Sequence, residues 1–209
     1  MSKFITGKFI TLEGIEGVGK TSNRDYIRTL LEESGKQCVV TREPGGTPLG
    51  ESLRELLLQH SDEQMSDDAE LLMMFAARAE HIKKVIRPAL DADQFVLCDR
   101  FTEATFAYQG GGRQLDISKI SDLESWVQGD LRPDLTIILD APVEVGRERA
   151  GKRSAPDRFE LEKHDFFNKV RDTYLSRAKA QPDRYQVIDA SPAIPQVQQS
   201  IQSILEKMV

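Results

Sequence analysis

The feature that most constrains this chain is Gly14-Ile15-Glu16-Gly17-Val18-Gly19-Lys20-Thr21, placed directly after the apolar run Phe9-Ile10-Thr11-Leu12. It fits G-x-x-x-x-G-K-[ST], a loop that joins a strand to a helix and wraps a phosphate. Glycines let the backbone curl so that successive N–H groups point at phosphate oxygens. Lys20 is expected to reach the outer phosphates, and Thr21 to offer its hydroxyl to Mg²⁺. A helix starting near Lys20 aims its positive end at the same anion. Ile27, Leu30 and Leu31 give that helix one apolar face. Strand, loop and amphipathic helix together predict binding of a nucleoside triphosphate.

The rest of the chain reads as a frame for that loop. Five short runs are expected as buried strands: Phe9–Glu13, Gln37–Thr41, Phe95–Asp99, Leu135–Asp140 and Tyr185–Asp189. Most are continuously apolar or β-branched, as in a parallel sheet covered on both faces. Helical patterns fall between and after them, at Thr21–Ser34, Gly50–His60, Asp67–Leu90, Ser118–Gln128, Val143–Ala150, Glu160–Ala180 and Ile194–Lys207. Either Ser66 or Asp67 can cap the long third helix. Strand alternating with helix predicts one doubly wound α/β domain over residues 1–209, with ligands at the carboxyl ends of the strands.

Composition narrows the partners. A net charge of −6 argues against a long nucleic acid. Cys38 and Cys98 both sit in strand-like runs, which predicts buried, reduced thiols and a cytoplasmic setting. Met1 to Gly7 is short and mixed, and no apolar run approaches membrane-spanning length, so neither a leader nor a membrane partner is expected. His60, His81 and His164 are scattered without metal-ligand spacing and read as surface or packing histidines.

Further signals lie at strand ends. Phe95-Val96-Leu97-Cys98 leads into Asp99-Arg100, a carboxylate placed to organise Mg²⁺ beside a guanidinium that can grip a phosphate. Asp140 ends another strand and is a rival for the metal. Thr41-Arg42-Glu43-Pro44-Gly45-Gly46-Thr47 makes a tight charged loop after the second strand. Gly146 to Arg158 crowds five positive charges around a Gly- and Ser-containing centre, the pattern of a basic lid, here over residues 147–158. Met73-Met74-Phe75-Ala76-Ala77-Arg78 could hold a flat base or could be core with a surface Arg. Thr105 to Arg113 reads as a loop, either a binding edge or a flexible connection.

In combination these residues resemble the thymidylate kinase family, of the bacterial type. The likeness runs over nearly the whole chain. It rests on Leu12 to Thr21, Thr41 to Thr47, Phe75 to Arg78, Asp99-Arg100, Ala107 to Gly111 and Arg132-Pro133-Asp134-Leu135-Thr136. The resemblance implies ATP on the phosphate loop as donor, dTMP as acceptor, dTDP as product, Mg²⁺ as cofactor and a homodimer. It implies that Lys20, Arg100 and Glu16 are catalytic, with Glu16 near the acceptor's sugar and phosphate. Arg78 would bond the thymine edge, Thr105 would read thymine N3, and Tyr108 and Gln109 would wall the deoxyribose. Glu43 and Arg54 would line the monophosphate site. Thr21 and Asp99 would serve the metal.

Two departures are visible. An Arg that one subfamily carries after its acidic loop residue is replaced by Gly17, so catalytic positive charge is expected from the lid. Arg153 is the first choice, ahead of Arg149 and Arg158. The Phe that usually stacks on thymine is replaced by Met74, with Phe75 one position on, and either could serve. Competing readings are a kinase for another monophosphate or a deoxynucleoside, a silent nucleotide-binding subunit, and a GTP switch. An Asn-Lys-x-Asp guanine-reading motif is absent from the sequence, which counts against the switch.

Overall fold

Five strands, β1 (Phe9–Glu13), β2 (Cys38–Arg42), β3 (Phe95–Asp99), β4 (Leu135–Asp140) and β5 (Tyr185–Asp189), form a parallel sheet in the order β2-β3-β1-β4-β5. The structure, a computed structural model, describes residues 7–60, 63, 65–151 and 157–208. Every residue of β1 is buried, because β3 and β4 flank it and helices cover it. Ile10, Leu12, Leu97 and Ile137 are wholly buried there, each contributing roughly 1.5–3 kcal/mol of apolar burial. Thr11 and Thr136 satisfy one another across the strands, with their hydroxyl oxygens 3.0 Å apart.

Helices α1 (Lys20–Glu33), α2 (Pro48–Leu58) and α3 (Asp67–His81) follow the first two strands. Thr47 caps α2 by accepting from Gly50 N, with Pro48 opening the first turn, and Ser66 caps α3 by accepting from Ala69 N. A π-helical stretch, Ile82–Ile86, carries α3 on into α4 (Arg87–Asp91). After β3 come α5 (Thr102–Thr105) and a second π-helical stretch, Phe106–Gly112. The remainder are α6 (Ile117–Gln128), α7 (Val143–Ala150), α8 (His164–Ala180) and α9 (Ile194–Leu205).

Three expectations need correction. Thr105 to Arg113 is not a loop: its first eight residues are helical or π-helical, and Phe106 to Gly110 are buried. The glycines there serve close packing, since a Cβ on Gly111 would fall 2.1 Å from Thr173 Oγ1 on α8. The helix expected from Glu160 begins at His164, because Asp157 Oδ1 accepts from the N–H groups of Phe159 and Glu160 and holds a separate turn. Cys98 is buried, but Cys38 is only half-buried, because β2 forms an edge of the sheet.

Register fixes the site. Leu12 pairs with Asp99, and Arg100 N donates to Leu12 O at 3.0 Å. Glu43 N donates to Asp99 O at 3.0 Å. The loops after β1, β2 and β3 therefore open side by side at the carboxyl end of the sheet, where α/β folds bind ligands.

Candidate active site

Those three loops enclose a cleft of about 320 Å³. Its walls include Glu16, Gly17, Gly19, Lys20 and Thr21 of the phosphate loop, Glu43 and Arg54 from the second loop and its helix, and Asp99 and Arg100 from the third. Met74 and Arg78 enter from α3, and Thr105, Tyr108 and Gln109 from the helical turn after β3.

The phosphate loop depends on Gly17. Its φ of +76° lies in the left-handed region, and a Cβ there would fall 1.9 Å from Gly146 O at the middle of α7. Lys20 donates to Gly14 O at 3.0 Å and Ile15 O at 2.7 Å, which folds its side chain over the loop. Burial, and then the nearby Arg100, push its ammonium down to about 8, against the pull of Glu16 and Asp99.

Arg100 is the hub of the charged floor. It is one of three non-glycine residues with positive φ among the described residues, at +69°, a conformation that persists at functional sites when the surroundings enforce it. Its Nη2 donates to Glu16 Oε1 at 2.7 Å and its Nη1 to the Tyr174 hydroxyl at 3.3 Å. The guanidinium lies 4.8 Å from the Tyr108 ring centroid, and Tyr108 donates to Glu16 Oε2 at 2.7 Å. Burial works against the charge of Glu16, yet Arg100, Lys20 and the Tyr108 hydroxyl hold its carboxyl below the ordinary value.

A second buried cluster forms the opposite wall. Arg78, 2% exposed, donates from Nε to Glu43 Oε2 at 2.7 Å and from Nη2 to Thr105 Oγ1 at 2.9 Å. Phe75 and Phe101 lie 4.7 and 5.1 Å from the guanidinium by their ring centroids. Arg78 Nη1 is buried without a hydrogen-bond partner among the described residues. A buried N–H costs free energy until something accepts from it, and Arg78 is one of the residues that line the cleft.

The chain compares closely with known proteins. A family model described as Thymidylate kinase matches residues 12–201. The chain belongs to the thymidylate kinase family. A curated thymidylate kinase of Pseudomonas syringae pv. tomato is 58% identical over 205 residues, 98% of each chain. That of Pseudomonas fluorescens is 55% identical over the same length and shares. A solved thymidylate kinase from Ehrlichia chaffeensis superposes with a TM-score of 0.78 at 35% identity, covering 95% of this chain and 98% of that one.

Several residues that thymidylate kinase resemblance put in the site stand elsewhere. Phe75 is not on the cleft. It packs with Leu71, Phe106 and Ile120 beneath Arg78, because its position on α3 points away from the side that Met74 presents to the cleft. Arg149 donates to Ala190 O at 2.7 Å and Ser191 O at 2.8 Å, outside the cleft walls. Arg158 donates to Leu57 O at 3.0 Å and pairs with Glu70 Oε2 at 2.7 Å, again not lining the cleft. Arg153 lies outside the described residues, as do the other positions from 152 to 156, and Arg147 to Ala150 belong to α7.

Three residues with no local signal in the sequence also belong to this region. Glu13, at the end of β1, is fully buried and accepts from Phe101 N at 2.7 Å and from the Tyr174 hydroxyl at 2.9 Å. Burial pushes its carboxyl from 4.5 up to about 8, although Arg100 and the Phe101 N–H pull the other way. Tyr174 comes from α8, far along the chain. His81 is neither a surface nor a simple packing residue: it is fully buried and bonded through both ring nitrogens.

Mg²⁺ suits the donors present. The Thr21 hydroxyl and the Asp99 carboxylate both reach the cleft, and no group of three or more His, Cys, Asp or Glu gathers among the described residues. A cation that keeps its waters and takes one or two protein oxygens plus phosphates needs no such cage.

Proposed function

We propose that the Arg78 wall takes the thymine ring of dTMP, that Arg100 takes its phosphate, and that ATP lies along the phosphate loop. As a member of its family the chain is an ATP-dependent nucleoside monophosphate kinase, and it phosphorylates dTMP to dTDP. The observation that carries the base-reading part is Arg78, a residue of the cleft lining whose buried Nη1 has no partner among the described residues. A pyrimidine carbonyl is an acceptor that a base lodged between Met74 and Arg78, both on the cleft lining, would bring to it.

The chemistry asks for alignment and charge neutralisation more than for covalent help. Lys20, released from its carbonyls, offers its ammonium to the donor's outer phosphates. Arg100, already fixed by Glu16 and Tyr174, offers its fork to the acceptor phosphate. Glu16 and Tyr108, bonded to each other, stand beside the sugar. Mg²⁺, held by Thr21 and Asp99, would draw charge from the phosphate oxygens when bound. Further positive charge is assigned to the lid, 147–158, with Arg153 foremost.

Assembly as a homodimer is part of the same reading. Leu72 on α3 and Trp126 on α6 are 56% and 81% exposed, and the two helices pack against each other. Large exposed apolar side chains on two packed helices suit a self-complementary contact. No helix among the described residues is long and apolar enough to cross a membrane, and a cytoplasmic setting suits the two free thiols.

A coupled ADP-release assay with ATP and Mg²⁺ tests this, comparing dTMP, dUMP, UMP and no acceptor. Turnover with dTMP well above dUMP and UMP is expected, and chelation should abolish it. Preference for another monophosphate would overturn the base-reading assignment. Arg153→Ala in the same assay should lose kcat while keeping dTMP affinity, and a normal kcat would remove Arg153 from the mechanism.

A further inference from the structure

Arg78 does not orient itself. Its guanidinium is planar, so fixing two of its nitrogens fixes the direction of the third. One anchor is Thr105, and the other is Glu43, whose Oε2 accepts from Nε. Glu43 could in principle swing both oxygens onto Arg78 in the bidentate fork that such pairs favour. That arrangement would consume a second nitrogen of the guanidinium and turn it within its slot.

His81 prevents the swing. It follows Arg78 by three residues on α3, so the two side chains share a helix face. Its Nδ1 lies 2.9 Å from Glu43 Oε1 and its Nε2 lies 2.7 Å from Thr41 Oγ1 on β2. Facing a carboxylate, Nδ1 must carry a hydrogen, and Nε2 shares the second bond with the Thr41 hydroxyl. The ring has no room to tilt, since a Cβ on Gly46 would already fall 2.7 Å from it. His81 thus holds one oxygen of Glu43, leaving the other for Arg78 Nε.

We propose that His81 is a positioning residue for acceptor recognition, holding Glu43 so that Arg78 presents Nη1 to the base in the cleft. The proposal rests on the reading of Arg78 as the base-binding residue. It assigns to a fully buried histidine that does not itself line the cleft control of affinity for one substrate and not the other.

The test exploits which ring nitrogen each amide replaces. In His81→Asn the amide nitrogen falls near Nδ1 and can still donate to Glu43. In His81→Gln it falls near Nε2, reaching Thr41 and leaving Glu43 Oε1 unpaired. Calorimetric titration of dTMP and of ATP into both variants and the wild type is the measurement, with thermal unfolding alongside. Expected is dTMP affinity within about threefold of wild type for His81→Asn, and a loss of about tenfold or more for His81→Gln, as befits a lost bond to a charged group. ATP affinity should be unchanged in both. Equal dTMP affinities in the two variants, or a parallel loss of ATP affinity, would overturn the proposal.

Thr41→Val, which is nearly isosteric and keeps the Glu43 contact, guards against misfolding of the histidine variants. It should bind dTMP within about threefold of wild type, whereas a tenfold loss would mean that the ring does not act through Glu43. Arg78→Lys separates this inference from its premise. If that change leaves dTMP affinity intact, the base-reading assignment itself fails. If it weakens dTMP while His81→Gln does not, only the role of His81 falls.

Discussion

Replacing Glu13 by Gln should make the protein more stable at alkaline pH and leave it nearly unchanged in acid. Glu13 is fully buried, and its carboxyl is raised from 4.5 to about 8, chiefly by burial. Charged or titratable groups around it are Arg100, Glu103, Tyr174 and Lys20, of which Arg100 favours the ionised form and Glu103 opposes it. Between those two pH values the folded chain keeps a proton that the unfolded chain has released. Stability therefore falls as pH rises through that window and levels off above about 8. At about 1.4 kcal/mol per pH unit the window spans roughly 5 kcal/mol as an upper bound. Relaxation and water entry around buried charges reduce such penalties, so about 2 kcal/mol is the expected effect.

For a chain of this length about 2 kcal/mol moves the melting temperature by about 4–8 °C. Gln keeps the shape, accepts from Phe101 N through its carbonyl and donates from its amide to the Tyr174 oxygen. Thermal unfolding of both proteins by circular dichroism at pH 5, 7 and 9 checks the sign and size. The melting-temperature difference, variant minus wild type, should start small and grow by about 4–8 °C toward pH 9. A flat difference would refute the reasoning. A difference that turns negative at high pH would mean that Arg100 outweighs burial and Glu13 is ionised in the native state.

Gly17→Ala should cost ATP affinity at least about 100-fold, because the methyl would overlap Gly146 O and the backbone is left-handed there. Fluorescent-nucleotide titration reads this, and wild-type affinity would refute the contact. Trp126→Glu should convert a dimer to a monomer in sedimentation at matched concentration, with the melting temperature little changed by a surface substitution. A wild-type protein that sediments as a monomer would remove the homodimer from the reading.

Most of the frame was legible because it is local. β1, β3, β4 and β5 begin and end where their apolar runs do, and β2 is displaced by one residue. The phosphate loop and Asp99-Arg100 carry their chemistry in consecutive residues, so spacing alone finds them. What stayed hidden depends on contacts between distant segments. Glu13 and Tyr174 are 161 positions apart yet share a hydrogen bond. His81 and Glu43 are separated by 38. Gly110, Gly111 and Gly112 look like a flexible loop until α6 is laid against the first and α8 against the other two. The choice between Met74 and Phe75 was equally beyond periodicity, because one face of α3 packs on Phe106 and Ile120 while its neighbour faces the cleft.

The order of strands also has a consequence for how the protein is made. β1 leaves the ribosome before either of its partners, β3 and β4, whose residues run to Asp140. About 125 residues separate Ile10 from its partner Leu135. At translation rates of 5–20 residues per second, the nascent phosphate loop waits roughly 6–25 s for its last neighbouring strand. Until β3 emerges Phe9, Ile10 and Leu12 have no flanking strand to pair with, and until β4 emerges they have only one. Gly14 and Gly17 of the phosphate loop lie against Leu139 and Gly146, so the loop meets its native neighbours, and nucleotide can stabilise the fold, only after those residues have been made.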